Sequence, residues 1–178
     1  MELISTVNQA LALLTIAGQI IVAVLIVSFT TKRSAALNFF TKHALAFSLA
    51  VALAATLGSL FYSEIAGYEP CKLCWFQRIL MYPQVILLGI AWLKKDNGIV
   101  LYSIALSSLG ALIAGYQYLL QIGLAPSIGC SAVGYSVDCA QRFVMQFGYI
   151  TIPMMALTAF LLIIGFMANK IIIQKIND

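Results

Sequence analysis

Long apolar stretches alternate with short polar segments along the chain, and this alternation predicts helices that cross a membrane. A hydrocarbon core of about 30 Å requires roughly 20 consecutive, mostly apolar residues in helical form. Glu2 is the only charged side chain before the first stretch, which is longer than the apolar region of a signal peptide, so we expect an uncleaved span. The predicted spans are about residues 10–29, 44–62, 76–93, 99–121 and 149–168.

The composition also indicates a membrane protein. Hydrophobic residues make up 62% of the 178-residue chain and charged residues only 9%, with a mean hydropathy of +1.00, whereas about 25% of the residues in a soluble domain are charged. The net charge of +4 comes from basic residues scattered between the apolar stretches, which does not favour nucleic acid as a partner. We therefore predict an all-α, polytopic helical bundle that forms one membrane domain over residues 1–178.

The distribution of basic residues predicts the orientation of the chain, because cytoplasmic loops carry an excess of Lys and Arg. With the N-terminus outside, the cytoplasmic side holds seven of the ten basic residues, namely Lys32, Arg33, Lys42, Lys94, Lys95, Lys170 and Lys175. The outer face keeps Lys72, Arg78 and Arg142, and it carries two external segments at residues 63–75 and 122–148. All four cysteines fall in these segments, which would face an oxidising compartment.

A Cys-x-x-Cys motif, formed by Cys71 and Cys74, lies where the first external segment meets the third predicted span. The N-terminus of a helix has unpaired N–H groups and a partial positive charge, and both favour a thiolate. Arg78 follows Cys74 by four residues, so the two side chains share a helix face and the cation can stabilise the thiolate further. The motif therefore indicates a redox centre, with the alternative that Arg78 is only an anchor to the lipid headgroups.

The second external segment contains the other two cysteines, Cys130 and Cys139, among several Gly and Ser residues. Long loops are usually functional or disordered. After Cys139, apolar residues recur at helical spacing from Ala140 to Phe147. This pattern predicts a short amphipathic helix on the membrane surface, with an irregular loop anchored by aromatic side chains as the alternative.

Two thiol pairs at one membrane face are suited to thiol–disulfide exchange, in which a thiolate attacks a disulfide sulfur. One alternative is a zinc site, for which the spacing of Cys130 and Cys139 is loose. Another is a protein without enzymatic activity that holds two structural disulfides, although short Cys-x-x-Cys rings are commonly redox-active. The sequence has no haem, iron–sulfur or nucleotide motif, so a lipid-soluble quinone is the electron acceptor that we expect.

The sequences EPCKLCWFQRILMYP, at residues 69–83, and FGYITIP, at residues 147–153, closely resemble those of one family. This is the disulfide-bond formation protein B family, and the chain looks most like its shorter BdbC-type branch. The resemblance covers about residues 44–167 and implies a four-helix core, to which the first span adds an N-terminal transmembrane helix. It also implies a bacterial cell (inner) membrane location and a quinone-dependent protein thiol–disulfide oxidoreductase.

The resemblance implies a role for each candidate site residue. Cys130 and Cys139 would form a loop disulfide that reoxidises an extracytoplasmic thioredoxin-fold thiol oxidase, the expected partner. Cys71 and Cys74 would be reoxidised by ubiquinone or menaquinone, with Cys74 nearest the quinone ring and Arg78 beside it. A quinone-linked bundle of the vitamin K epoxide reductase type shares this chemistry, but its cysteine pair lies at the mouth of a later span.

Three features depart from the family pattern. The first span is extra to the four-helix core, and the pattern assigns it no role. The spacing between Cys130 and Cys139 is wider than in BdbC-type members. Gln117 stands where such relatives can carry a histidine.

Overall fold

The computed structural model describes residues 2–31, 40–126 and 138–177. Within these ranges, five helices are long and apolar enough to cross a membrane, which confirms the predicted all-α membrane bundle. They are α1 (Glu2–Thr31), α2 (Ala44–Leu60), α3 (Lys72–Lys94), α4 (Ile99–Gln121) and α5 (Ile152–Asn177).

Helices α2 to α5 form a closed four-helix core, in which α2 packs on α3, α3 on α4, α4 on α5, and α5 on α2. Buried apolar side chains from all four helices fill the interior, among them Leu88, Phe160 and Ile163. Small residues let the helices approach closely in lipid, and a Cβ added at Gly110 of α4 would lie 2.3 Å from the Phe160 ring of α5. Helix α1 lies outside this core and packs on α5, as expected for an additional helix.

A π-helical turn and a glycine bend bring the chain from α2 to the start of α3. The turn covers Phe61–Ile65, and Gly67 follows with a φ of 70°, a left-handed conformation that glycine adopts without steric cost. Cys71 then takes an extended conformation at the N-cap of α3. Its carbonyl accepts a hydrogen bond from the N–H of Trp75, so Cys71 lies directly at the N-terminus of the helix.

The prediction of an amphipathic helix from Ala140 to Phe147 is wrong. Gln146 instead pairs with Ile150 in an isolated antiparallel bridge. The chain reverses between these two residues at Phe147 and Gly148, whose φ values are 51° and 79°. The segment is the irregular loop that was the alternative interpretation of the same residues.

Contacts with other parts of the bundle explain why this segment is not helical. Phe143 stacks on Tyr68 with ring centroids 4.9 Å apart, and the Arg142 guanidinium donates to the carbonyl of Gln121 at the end of α4. The side-chain amide of Gln121 donates in turn to the carbonyl of Gln141 at 3.0 Å. A helix would use that carbonyl internally, so tertiary contacts here override the local periodicity.

Candidate redox site

Cys71 and Cys74 stand at the N-terminal end of α3. Both are free thiols, and their sulfur atoms lie 3.2 Å apart. Cys71, the N-cap residue, is 2% exposed, whereas Cys74, in the first turn of the helix, is half-buried. The unpaired N–H groups of a first helical turn carry partial positive charge, so this position favours negative charge on sulfur.

The two thiols of this pair are not equivalent. The Cys71 thiol donates a hydrogen bond to the sulfur of Cys74. This hydrogen bond, together with burial, raises the pKa of Cys71 above that of an ordinary thiol. Cys71 therefore holds its proton in the reduced pair, and Cys74 is the sulfur better suited to carry negative charge.

Gln117 of α4 contacts both sulfur atoms. Its Nε2 lies 3.2 Å from the sulfur of Cys71 and 3.3 Å from that of Cys74. Its Oε1 accepts a hydrogen bond of 2.6 Å from Nε2 of Gln77 in α3, and this bond fixes which end of the Gln117 amide faces the thiols. Both glutamines are buried, so they present a hydrogen-bond donor to the thiol pair from inside the bundle.

Sequence reasoning missed this pair of glutamines. It treated Gln117 only as a departure from a family pattern and did not consider Gln77. Two signals were available in the sequence. A polar side chain within a transmembrane helix marks a candidate functional site, and Gln77 follows Cys74 by three residues, on the same helix face.

Cys139 lies in the same buried cluster as Cys71. It is 1% exposed and disulfide-bonded, and the cluster that it shares with Cys71 also contains Leu120. Cys74, which is only partly buried, packs against this cluster. The structure thus brings three of the four predicted cysteines together, whereas Cys130 lies outside the described residues.

Arg78 lies one helical turn after Cys74 and is tied to α2. Its Nε donates to the hydroxyl of Ser59 at 3.0 Å, and its Nη2 donates to the carbonyl of the same residue at 3.1 Å. The guanidinium also lies 5.3 Å from the centroid of the Trp75 ring, within the range of a cation–π contact. These contacts fix the cation on the helix face that carries Cys74.

A cavity of about 500 Å³ borders the thiol pair. Cys74, Gln77 and Arg78 line one end of it, where the rings of Tyr62 and Tyr68 stack with centroids 5.9 Å apart. Most of the remaining lining consists of apolar side chains from α1, α2, α3 and α5. The volume falls within the roughly 300–1,000 Å³ that is usual for ligand pockets. This distribution of polar and apolar groups suits a ligand with a polar head and an apolar tail.

The thiol pair, its amide donor and the adjoining cavity all lie in a helical membrane bundle. This arrangement is typical of a membrane protein that carries out thiol redox chemistry. Sequence comparison gives its family. The model of the family described as disulfide bond formation protein DsbB matches residues 41–169, and the chain belongs to this family. Helix α1 precedes the matched residues.

Curated relatives confirm the resemblance to the BdbC-type branch. Probable disulfide formation protein C 1 of Bacillus anthracis is 50% identical over 109 residues, which cover 61% of this chain and 78% of that protein. Disulfide bond formation protein C of Bacillus subtilis strain 168 is 45% identical over 125 residues, covering 67% and 86%. The SPbeta prophage-derived disulfide bond formation protein B of the same strain is 44% identical over 120 residues, covering 67% and 80%. No solved structure matches the chain.

Proposed function

We propose that the protein is a membrane thiol–disulfide oxidoreductase that reoxidises an extracytoplasmic thioredoxin-fold thiol oxidase and passes the electrons to a membrane quinone. The observation that carries this proposal is the position of the Cys71–Cys74 pair, which adjoins the disulfide-bonded Cys139 on one side and the cavity on the other. The names of the relatives, disulfide bond formation proteins B and C, support the same reaction.

The first half of the proposed reaction is a disulfide exchange with the partner. The dithiol of the partner reduces the loop disulfide, which this proposal assigns to Cys130 and Cys139, and itself becomes a disulfide. The loop thiols then reduce a disulfide between Cys71 and Cys74, so that two electrons and two protons pass to this pair. The burial of Cys139 in one cluster with Cys71 supports direct exchange between these two sulfurs.

The second half of the reaction returns the Cys71–Cys74 pair to its disulfide form. The pair gives two electrons and two protons to a quinone, either ubiquinone or menaquinone, which becomes a quinol. Cys74 lines the cavity and Cys71 does not, which supports Cys74 as the thiol nearest the quinone ring. Arg78 lines the same end of the cavity, where its charge would stabilise negative charge that develops on a quinone oxygen.

The proposal includes a single membrane domain in a bacterial cell membrane, with the N-terminus and all four cysteines on the outer face. The excess of basic residues on the opposite side of the five helices supports this orientation. In intact cells, after reduction, a membrane-impermeant maleimide should therefore label the external cysteines. Labelling that requires the inner face to be opened would contradict the orientation.

The proposed function predicts quinone reduction by the purified protein in detergent with a dithiol donor, followed through the absorbance of the quinone. Cys74→Ser should abolish the reaction.

Arg78→Ala should raise the KM for quinone more than it lowers kcat, because the cation acts at the quinone end of the cavity. Arg78→Lys should restore only part of this loss, since Lys lacks the fork that donates to Ser59 at two points.

Lys72→Ala is the matched control for the Arg78 variants. Lys72 is a cation at the same end of α3, but it does not line the cavity. Its replacement should leave the KM for quinone unchanged. A wild-type protein that fails to reduce quinone would favour a membrane protein with purely structural disulfides.

A further inference from the structure

Helix α1 forms one side of the cavity at the thiol pair, although it precedes the residues that match the family. It lies over the groove between α2 and α5. A Cβ added at Gly58 of α2 would lie 3.4 Å from Leu11 of α1, and one added at Gly18 of α1 would lie 3.0 Å from Thr158 and Leu162 of α5. Helix α1 therefore packs on α5, approaches α2 through Leu11, and lines the outer side of the cavity.

A hydrogen bond also fixes this helix to the loop beside the site. The hydroxyl of Tyr149, which lies just before α5, donates to Oε1 of Gln19 at 2.9 Å. Thr15, which is 7% exposed, lines the cavity from α1. Its hydroxyl donates to the carbonyl of Leu11 at 2.7 Å, so the helix satisfies its polar group and presents a methyl group for apolar contact.

The cavity is elongated, and its lining changes from polar at one end to apolar at the other. Its charged and hydroxyl-bearing groups concentrate at the end with Cys74 and Arg78. Along α2 its lining runs from Ser59 to Phe47, and twelve residues at roughly 1.5 Å per residue give a length of about 18 Å. At the far end, Phe47 and Phe166 offer only apolar surface. A compact polar substrate would leave this far part unfilled, whereas a single long apolar tail would fill it.

We propose that α1 is a tail-recognition helix, and that the isoprenoid tail of the quinone lies against the cavity-lining face of its segment Leu11 to Ile21. The inference rests on the proposed quinone reduction and adds to it the element that selects for the tail. The ring stays at the end that Cys74 and Arg78 define, so α1 acts on substrate choice and not on the redox step. Quinones with and without a tail should consequently respond differently to changes in α1.

A matched pair of α1 variants tests this inference. Thr15→Phe adds a ring at a buried position that lines the cavity, whereas Leu13→Phe adds one at a position that is 58% exposed and does not line it. Both full-length proteins are assayed with a long-tailed isoprenoid quinone and with a tail-less quinone. Thr15→Phe should raise the KM for the long-tailed quinone by roughly tenfold, a typical effect of overpacking, and leave the KM for the tail-less quinone unchanged. Leu13→Phe should change neither value.

Two results of this assay would overturn the inference: an equal rise in KM for both quinones, or no rise for either. If the wild-type protein reduces neither quinone, the proposed function itself fails, and a quinone-binding experiment must then test the role of α1.

A quinone with a photoreactive group in its tail, cross-linked to the wild-type protein, should label the peptide that contains Leu11 to Ile21. Excess isoprenoid quinone should suppress this labelling. No labelling of α1, or labelling that only phospholipid suppresses, would identify the surface as a site for bilayer acyl chains and reject the inference.

Discussion

The amide of Gln117 is the one neutral group that reaches both thiols of the Cys71–Cys74 pair among the hydrogen bonds of the described residues. A hydrogen bond to a charged group contributes about 1.5–3 kcal/mol. Gln117→Leu should therefore lower the rate of quinone reduction by roughly tenfold to a hundredfold. It should also move the pH–rate profile upward, because a thiolate without this donor needs a higher pH to form.

Gln84→Leu provides the control for this variant. Gln84 is also a buried glutamine in the bundle, but its partners are Leu80, Ser103 and Ser107, with no contact to a thiol. Its replacement should lower stability while the pH–rate profile stays in place. If Gln117→Leu lowers stability and rate with an unchanged pH profile, Gln117 supports the fold and has no specific effect on the thiols.

The sequence alone predicted those site residues that lie close together along one helix. The spacing of Cys71 and Cys74, their position before an apolar stretch, and Arg78 one turn later are all properties of a single helix. The Gln77–Gln117 contact joins two helices across forty residues of sequence, so it depends on how α3 and α4 pack. The local sequence pattern can mark the two glutamines as candidates, but it contains no information about helix packing, so their contact with the thiols is visible only in the folded chain.

The same limit explains why the segment after Cys139 does not form the helix that its sequence pattern predicts. At the level of elements, five apolar stretches predicted five helices, because a helix in lipid must pair its own backbone groups whatever its neighbours are. The segment from Ala140 to Phe147 is short and amphipathic, and a single helix of this length is marginal by itself. Its contacts with Tyr68 and Gln121 therefore determine its conformation.

The packing of α4 on α5 gives a prediction for a single methyl group. A Cβ at Gly110 would lie 2.3 Å from the ring of Phe160, a fully buried side chain, so the ring or the helix must shift. Gly110→Ala should therefore destabilise the bundle by about 1–3 kcal/mol, the usual cost of overpacking. The midpoint of thermal unfolding in detergent should fall accordingly.

Gly115→Ala separates this effect from the general effect of alanine in a helix. Gly115 lies in the same helix, and a Cβ added there meets nothing within 4 Å. Alanine at that position should be neutral or stabilise the protein by up to about 1 kcal/mol. Equal unfolding midpoints for the two variants would mean that α4 and α5 do not pack through Gly110 and Phe160.

At the scale of the whole molecule, the two thiols of the pair have different neighbours, and the proposed reaction would use one neighbour for each exchange step. Cys139 adjoins Cys71 in a buried cluster, while Cys74 lines the cavity. In the proposed reaction, two electrons would arrive through Cys139 and leave through Cys74, so the partner and the quinone would not share a site. The burial of Cys139 in one cluster with Cys71 supports this order.

The proposed order of exchange predicts the behaviour of a Cys139→Ser variant. Under the proposed order, attack by the partner on Cys130 releases Cys139 as a thiol, and this thiol would resolve the mixed disulfide between Cys130 and the partner. Without Cys139, a partner–Cys130 mixed disulfide should accumulate, and mass spectrometry of the cross-linked peptides should identify it. Quinone should still oxidise the Cys71–Cys74 pair of the variant, since Cys74 and Arg78 keep their places on the cavity.

Cys130→Ser is the matched control, and it should form no mixed disulfide because the cysteine attacked by the partner is gone. Both variants should fold, because each keeps the contacts that Cys71, Gln77 and Gln117 make within the bundle. A mixed disulfide through Cys71 or Cys74, with Cys130 left as a free thiol, would show that the partner reacts directly at the helix end. The loop cysteines would then be a structural element, and the electron path would begin at α3.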